Sequence, residues 1–407
     1  MTVISVFSGI CCNEASVLKQ LLDANGMRLL GDGDLVAAAA GLSGMSGDRI
    51  EKAFYGKTSV FNKFTHEKER AVAWLRLALA RRLVDEDNLL ISGFCALLPP
   101  REISHVLRVC LIADIKTRLA AAMQERGLAE RDAARLLNRS DEEHATWVQE
   151  LTRTDDPWAE ALYDIFLPMH KTTVDNAVAL ILQHAGAEAV ASTTRSRDAA
   201  RDFLLAATVE SALAEKGHTV SVAARAGVVT LTINRKVLLL ERLENELKAQ
   251  ASKVEGVREV VTRVGKDYYQ SDIYRKVDFA MPSKVLLVDD EREFVQTLSE
   301  RLSMREVGAH AVFDGESALN MIREDEPEVM VLDLKMPGID GIEVLRQVKS
   351  TRPDVEVIIL TGHGTEKDRD VCMGLGAFAY LHKPVDIEVL SRTLQEANAK
   401  VQSKKSS

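Results

Sequence analysis

Short, nearly unbroken apolar runs alternate with longer stretches of helical period over residues 1–190. VISVF (3–7), NLLIS (88–92) and HVLRVCLI (105–112) predict strands covered on both faces. Helical patterns over 66–84, 114–126 and 173–185 supply the covering layers, so an α/β fold with a doubly wound parallel sheet is expected. The small, polar and charged stretch 186–202 reads as a linker or a helix edge. From 203 to 265 the texture changes. Leu205, Val209 and Leu213 mark one helix face and Leu243, Leu247 and Ala251 another. Between them TVSVAAR (219–225) and VVTLTIN (228–234) alternate at period two around Ala226-Gly227, and VREVVTRV (257–264) offers a third strand. The expected module is a small α+β domain in the order α-β-β-α-β. After a connector at 265–283, KVLLV (284–288), AHAVF (309–313), VMVLDL (329–334), VEVIIL (355–360) and AFAYLH (377–382) predict five strands with helices between them. The terminal QSKKSS is expected to fray.

The C-terminal segment carries the clearest chemistry. Asp289 and Asp290 follow its first strand, Asp333 closes the third, Thr361 the fourth and Lys383 the fifth. In a parallel sheet those ends share one edge, the edge where ligands bind. Converging carboxylates repel one another and call for a divalent cation, and an all-oxygen donor set suits Mg²⁺. Beside such an ion one carboxylate can attack a phosphoryl group whose charge the metal, a lysine and a hydroxyl neutralise.

The pieces LLVDDE, VLDLKMPGIDG, ILTGHG and YLHKP resemble the receiver domain of two-component response regulators over its full length, a flavodoxin-like (βα)5 fold. The resemblance implies Asp333 as phosphoacceptor, with Asp289, Asp290, Asp333 and the Lys335 carbonyl as Mg²⁺ ligands. It further implies Thr361 and Tyr380 as a switch pair, Lys383 as the phosphoryl-binding cation, and a cis Lys383-Pro384 bond. Lys335 and His363 stand where side chains could crowd an attacking water.

A strand, a glycine and an amphipathic helix open the chain, SGICCNEASVLKQLL at 8–22. With GMRLLGDGDL (26–35), HVLRVCLIADIKTRLA (105–120) and LYDIFLPMHKTTVDNAVALI (162–181), this resembles cytidylate-kinase-like nucleoside monophosphate kinases of P-loop type. That chemistry needs a backbone cradle, Mg²⁺ and several cations around the transferring group. The family's glycines and basic residue are replaced by Cys11, Cys12 and Asn13, and its G-R-G-A turn reads Gly93, Phe94, Cys95, Ala96. Its arginine-rich lid helix corresponds to 140–151, where Glu142, His144, Thr146, Gln149 and Glu150 fill the slots. Gly9 and Arg118 are what remains of a nucleotide site; Arg101 and Lys116 are not placed beside them by anything in the sequence. The expectation is a ruined phosphate site on a retained fold. The vicinal cysteines have two readings, small residues packing a tight turn, which is preferred, or a redox pair with a lowered thiol pKa.

The middle segment resembles a BON domain in its element order, in AGVVTLTI and in VEGVREVV, although Ile233 stands where a glycine is usual. Without an export signal, the phospholipid contact associated with such domains does not carry over, and an interaction or ligand-sensing module fits better.

Composition closes other doors. Net charge is −9, so no general attraction to nucleic acid is expected, and no basic recognition helix of helix-turn-helix type is present. No apolar run reaches the roughly 20 residues that span a bilayer, and no signal peptide is read. Five scattered cysteines form neither a disulfide framework nor a zinc pattern, and a cytoplasmic address follows. The expected organisation is a degenerate kinase-like domain (1–195), a BON-like domain (200–267), a linker (268–283) and a receiver (284–402). The expected function is a response regulator in which a cognate histidine kinase or phosphotransfer protein phosphorylates Asp333. The receiver then modulates the N-terminal part, which meets protein partners or self-associates, rather than DNA. The alternative is an active nucleoside monophosphate kinase gated by receiver phosphorylation, and a third reading is an interaction scaffold within a phosphorelay.

Overall fold

The computed structural model describes residues 2–55, 61–237, 239–266, 268, 281–303, 305, 307–362 and 364–405. Most of the expected linker 268–283, and His363, lie outside the described residues. The chain divides into two units, one holding the N-terminal sheet and the central module, the other the C-terminal sheet.

In the first unit, strands β1 (Val3–Ser8), β2 (Arg28–Leu30), β3 (Leu89–Ser92), β4 (Val106–Ile112) and β5 (Ile165–Pro168) form an all-parallel sheet in the order β2-β3-β1-β4-β5. All six residues of β1 are buried, as expected of a central strand covered on both faces. One covering layer includes the helix Glu67–Asp85, whose Ala71, Leu75 and Leu79 join Phe7 and Ile91 in one core cluster. The other includes the helices Glu14–Asn25 and Val174–Ala185, with Val17, Leu21 and Ile181 packed on Ile4 and Val6. Each such fully buried aliphatic side chain contributes about 1.5–3 kcal/mol.

Of the two readings of 186–202, helix edge describes its second half, because a helix runs from Thr194 to Glu215. Its N-terminal turns bury small side chains, Ser196 and Ala200, rather than the large apolar residues that advertise a helix face. Arg76 of the helix Glu67–Asp85 pairs with Glu210 at 3.1 Å, fixing the two helices further along.

The central module has the expected order. The helix Thr194–Glu215 leads to β6 (Ser221–Arg225), β7 (Val228–Ile233), the helix Leu240–Ala251 and β8 (Glu259–Val264). β6 and β7 are an antiparallel hairpin, β7 and β8 are parallel, and β7 lies in the middle. The hairpin turn places Ala226 at φ 50° and Gly227 at φ 84°, the paired left-handed geometry that two-residue loops favour.

In the second unit, β9 (Val285–Val288), β10 (Ala309–Val312), β11 (Val329–Leu332), β12 (Glu356–Thr361) and β13 (Ala379–His382) form a parallel sheet in the order β10-β9-β11-β12-β13. That is the flavodoxin-like order 2-1-3-4-5. The expectation of fraying at 402–407 is corrected for 402–405, because the last helix runs from Ile387 to Lys405, while 406–407 lie outside the described residues. Lys400 and Lys404 near its end reach back to the wholly buried Glu356 at 3.1 and 2.9 Å. A long-range ion network thus orders residues whose local sequence carries no helix-ending or helix-starting signal.

Among the described residues, no helix is long and apolar enough to cross a membrane.

Candidate functional site

The five predicted positions of the C-terminal sheet do share one edge. Asp289 and Asp290 follow β9, Asp333 follows β11, Thr361 ends β12 and Lys383 follows β13. Asp289, Asp333 and Thr361 are buried while Asp290 is exposed. Asp289, Asp290 and Asp333 each present an oxygen within 4.8 Å of the others. Lys383 Nζ lies 2.6 Å from Asp289, 2.8 Å from Glu291 and 3.9 Å from Asp333, over the Phe294 ring at 4.5 Å.

The electrostatics are unbalanced in a way that suits an additional cation. Burial raises the Asp289 carboxyl above its ordinary range in spite of Lys383. Among the described residues Asp333 Oδ1 is enclosed and has no hydrogen-bond partner, a costly state for a carboxylate oxygen. Hard acidic donors with an unused oxygen fit Mg²⁺. Burial opposes the charge of Lys383, but its hydrogen bonds to Asp289 and Glu291 outweigh that and hold it protonated.

Two glycines shape the surroundings. A Cβ on Gly341 would collide with the Asp333 carbonyl oxygen, so the loop carrying Asp333 folds against backbone that only glycine leaves open. A Cβ on Gly364 would collide with the Tyr380 hydroxyl and lie 2.9 Å from Thr361 Cγ2. Tyr380 and Thr361 therefore approach the same spot, and the Tyr380 hydroxyl is enclosed without a partner among the described residues. Lys335 is exposed two residues beyond Asp333, and the Lys383-Pro384 bond is cis. Glu291 and Phe294, which bracket Lys383, were not singled out from the sequence. The third acid of the Asp-Asp-Glu run was the available signal for Glu291.

The corresponding edge of the N-terminal sheet is built differently. Gly9 donates its N–H to the Leu111 carbonyl at 2.9 Å, and Cys11 and Asn13 adopt left-handed backbone at φ 61° and 59°. Arg118 is 3% exposed. Its guanidinium grips Asp141 in a two-pronged pair at 2.9 and 2.7 Å, and its Nε donates to the Ile10 carbonyl at 3.1 Å. The one matching arginine is thus spent inside the protein. At the end of β3, Asp32 accepts the backbone N–H groups of Phe94 and Cys95 at 2.9 and 2.8 Å. Gly93, at φ 89°, admits it, since a Cβ there would strike the Asp32 carboxylate.

Acid rather than base lines this edge. Burial, with the Asp32 charge second, pushes the Glu14 carboxyl up to about 7, and Asp32 is itself raised by burial. His144, in a slot where the family carries arginine, is buried, and burial lowers its pKa and disfavours the charged ring. It stacks on Phe94 at 4.8 Å and meets Phe7 edge-on at 5.0 Å. Trp158 completes the aromatic filling beside Gly9. Arg101 instead donates to the Ala161 carbonyl. Asp32 and Asp141 were missed in the sequence because each acts on a partner remote in the chain. The thiols follow the packing reading: burial raises Cys11 and pushes Cys12 up to about 11, the opposite of a reactive pair.

Comparison with known proteins matches the two ends of the chain to different families. Residues 285–395 match the response regulator receiver domain, and residues 3–171 match the cytidylate kinase-like family. Response regulator MprA of Mycolicibacterium vanbaalenii is 38% identical over 110 residues, which are 27% of this chain and 48% of that protein. MprA of Mycobacterium avium is 38% identical over 107 residues, 26% of this chain and 47% of that protein. The chain therefore spans about half the length of the curated relatives it matches. Among solved structures, a receiver domain protein from Clostridium thermocellum is similar at 33% identity and a TM-score of 0.28, over 30% of this chain and 96% of that one. This chain carries a response regulator receiver domain at its C-terminus and cytidylate kinase-like sequence at its N-terminus.

Proposed function

We propose that the protein is a phosphorylation-controlled signalling protein in which Asp333 accepts a phosphoryl group from a partner histidine kinase or phosphotransfer protein. The observation that carries this is the enclosed, unpartnered Asp333 Oδ1 between two further carboxylates and the Lys383 ammonium. Asp289, Asp290, Asp333 and the Lys335 carbonyl would hold Mg²⁺. Bound there, the ion draws charge from the phosphoryl oxygens.

The protein's own residues do the rest. One oxygen of the Asp333 carboxylate forms the bond to phosphorus, the other being left for the ion, as the bond to the donor imidazole nitrogen breaks. The leaving imidazole takes a proton from water and departs neutral. Lys383, held charged by Asp289 and Glu291, offsets negative charge gained at Asp333. Thr361 and Tyr380 then respond to the change; among the described residues the enclosed Tyr380 hydroxyl has no partner that keeps it in place.

The N-terminal domain acts in this reading by shape and association and not by phosphoryl transfer. Its arginine and its backbone N–H groups at the end of β3 are satisfied by Asp141 and Asp32, and its acids repel phosphate. The central module, BON-like by resemblance, serves protein contact. Acetyl phosphate with Mg²⁺ tests the first half: one phosphoryl group should appear on the chain and none on Asp333→Asn. Uptake by that variant at the wild-type rate would refute the acceptor assignment.

A further inference from the structure

β8 (Glu259–Val264) is an edge strand that pairs, among the described residues, only with β7, in one uninterrupted register of six residues. It contains no proline, lysine or bulge, three of the devices that keep an edge from pairing, and its two charges, Glu259 and Arg263, are of opposite sign. The Gly227 carbonyl accepts the Arg258 N–H at 2.8 Å and the Glu259 N–H at 3.4 Å where the strand begins. At its end the Gly265 N–H donates to the Ile233 carbonyl at 2.9 Å, with Val264 in register with Ile233. By the two-residue alternation of a strand, the backbone groups of Val260, Thr262 and Val264 therefore face the open side. Glu259, Val261 and Arg263 are all exposed and share one face, with Val261 40% exposed. Arg263 Nε donates to Thr232 Oγ1 of β7 at 2.8 Å, so a pair with a second copy would use its terminal guanidinium nitrogens.

We propose that this edge joins two copies of the chain by antiparallel pairing of β8 with β8. A two-fold axis through Val261 sets Val260 opposite Thr262 of the second copy, where their outward N–H and C=O groups bond. It sets Glu259 opposite Arg263 of the second copy, and Arg263 opposite Glu259. These fall at non-hydrogen-bonded positions, where side chains approach most closely. Two ion pairs and a Val261–Val261 contact thus form on one face, and two three-stranded sheets become one of six strands. The charges also fix the register. A two-residue slip breaks both ion pairs, and a four-residue slip sets Glu259 on Glu259 or Arg263 on Arg263. The interface is independent of Asp333 and is expected in the unphosphorylated protein.

Sedimentation equilibrium of the full, unphosphorylated chain tests this. The mass should rise with concentration from 44.9 kDa toward twice that value. Thr262→Pro removes an outward N–H without touching the bonds to β7 and should leave a monomer. Glu259→Arg alone, or Arg263→Glu alone, should weaken association about tenfold by setting like charges together. Mixing those two variants should restore it, because each then meets its opposite across the axis. A chain that stays monomeric at every concentration overturns the proposal. So does a dimer indifferent to Thr262→Pro, or a pair of folded variants that mixing does not rescue, with folding checked by circular dichroism.

Discussion

Two parallel sheets in this chain present the same kind of edge, and the two edges have opposite chemistry. At the receiver edge, Lys383 is shared among Asp289, Glu291 and Asp333, yet Asp333 Oδ1 remains unpartnered. At the N-terminal edge, Arg118 is closed onto Asp141 and Ile10, and the N–H groups of Phe94 and Cys95 are closed onto Asp32. Strand ends supply a place for chemistry, but a reactive site also needs an unused bonding capacity. The receiver edge keeps one at Asp333, while at the kinase-like edge Arg118 and the N–H groups of Phe94 and Cys95 are committed to Asp141 and Asp32.

The largest effect should come from removing that capacity. Asp333→Asn should abolish phosphoryl uptake from acetyl phosphate, measured by intact mass, while leaving the fold unchanged by circular dichroism. Next comes the closed side. Arg118→Ala leaves the half-buried Asp141 carboxylate and the Ile10 carbonyl without that donor, so urea unfolding should show a loss of about 1–3 kcal/mol, with no nucleotide affinity gained. An Arg118→Ala protein of full stability would show that the arginine is not committed to the fold. Lys383→Ala should slow uptake at Asp333 by about 10²–10³-fold, the cost of losing one charge-stabilising donor.

The smallest effect is a pH dependence on the acidic side. The folded-state pKa of Glu14 is raised to about 7 from an ordinary value of 4.5, so the native state binds more protons than the unfolded state between those values. Stability should therefore fall as pH rises from about 4.5 to 7, by up to about 2 kcal/mol. Glu14→Gln should flatten that slope and stabilise the protein at pH 8 in thermal melts. An unchanged slope would place the responsible carboxyl elsewhere.

Much of this contrast could be read from the sequence, and the unread part has a physical pattern. The receiver edge was legible because its residues sit at the ends of short apolar runs, and strand ends in a parallel sheet converge by topology alone. The loss of cations at the N-terminal edge was legible as absences, in Cys11, Cys12, Asn13 and Phe94. What replaced them was not. Asp141 reaches Arg118 from a different helix, and Asp32 reaches the end of β3 across 62 residues. The helix from Thr194 was masked by small buried side chains, and the helical C-terminus by lysines whose partner, Glu356, lies 44 and 48 residues away. Local periodicity records burial and element type; it does not record which polar groups close on one another.

The most direct test of the central claim is to give the full chain two phosphoryl sources with Mg²⁺, acetyl phosphate in one arm and ATP with CMP in the other. Intact mass and nucleotide analysis then read both edges. The account predicts one phosphoryl group, lost in Asp333→Asn, and no CDP. Formation of CDP at a catalytic rate, or equal labelling of the Asp333→Asn chain, would contradict it.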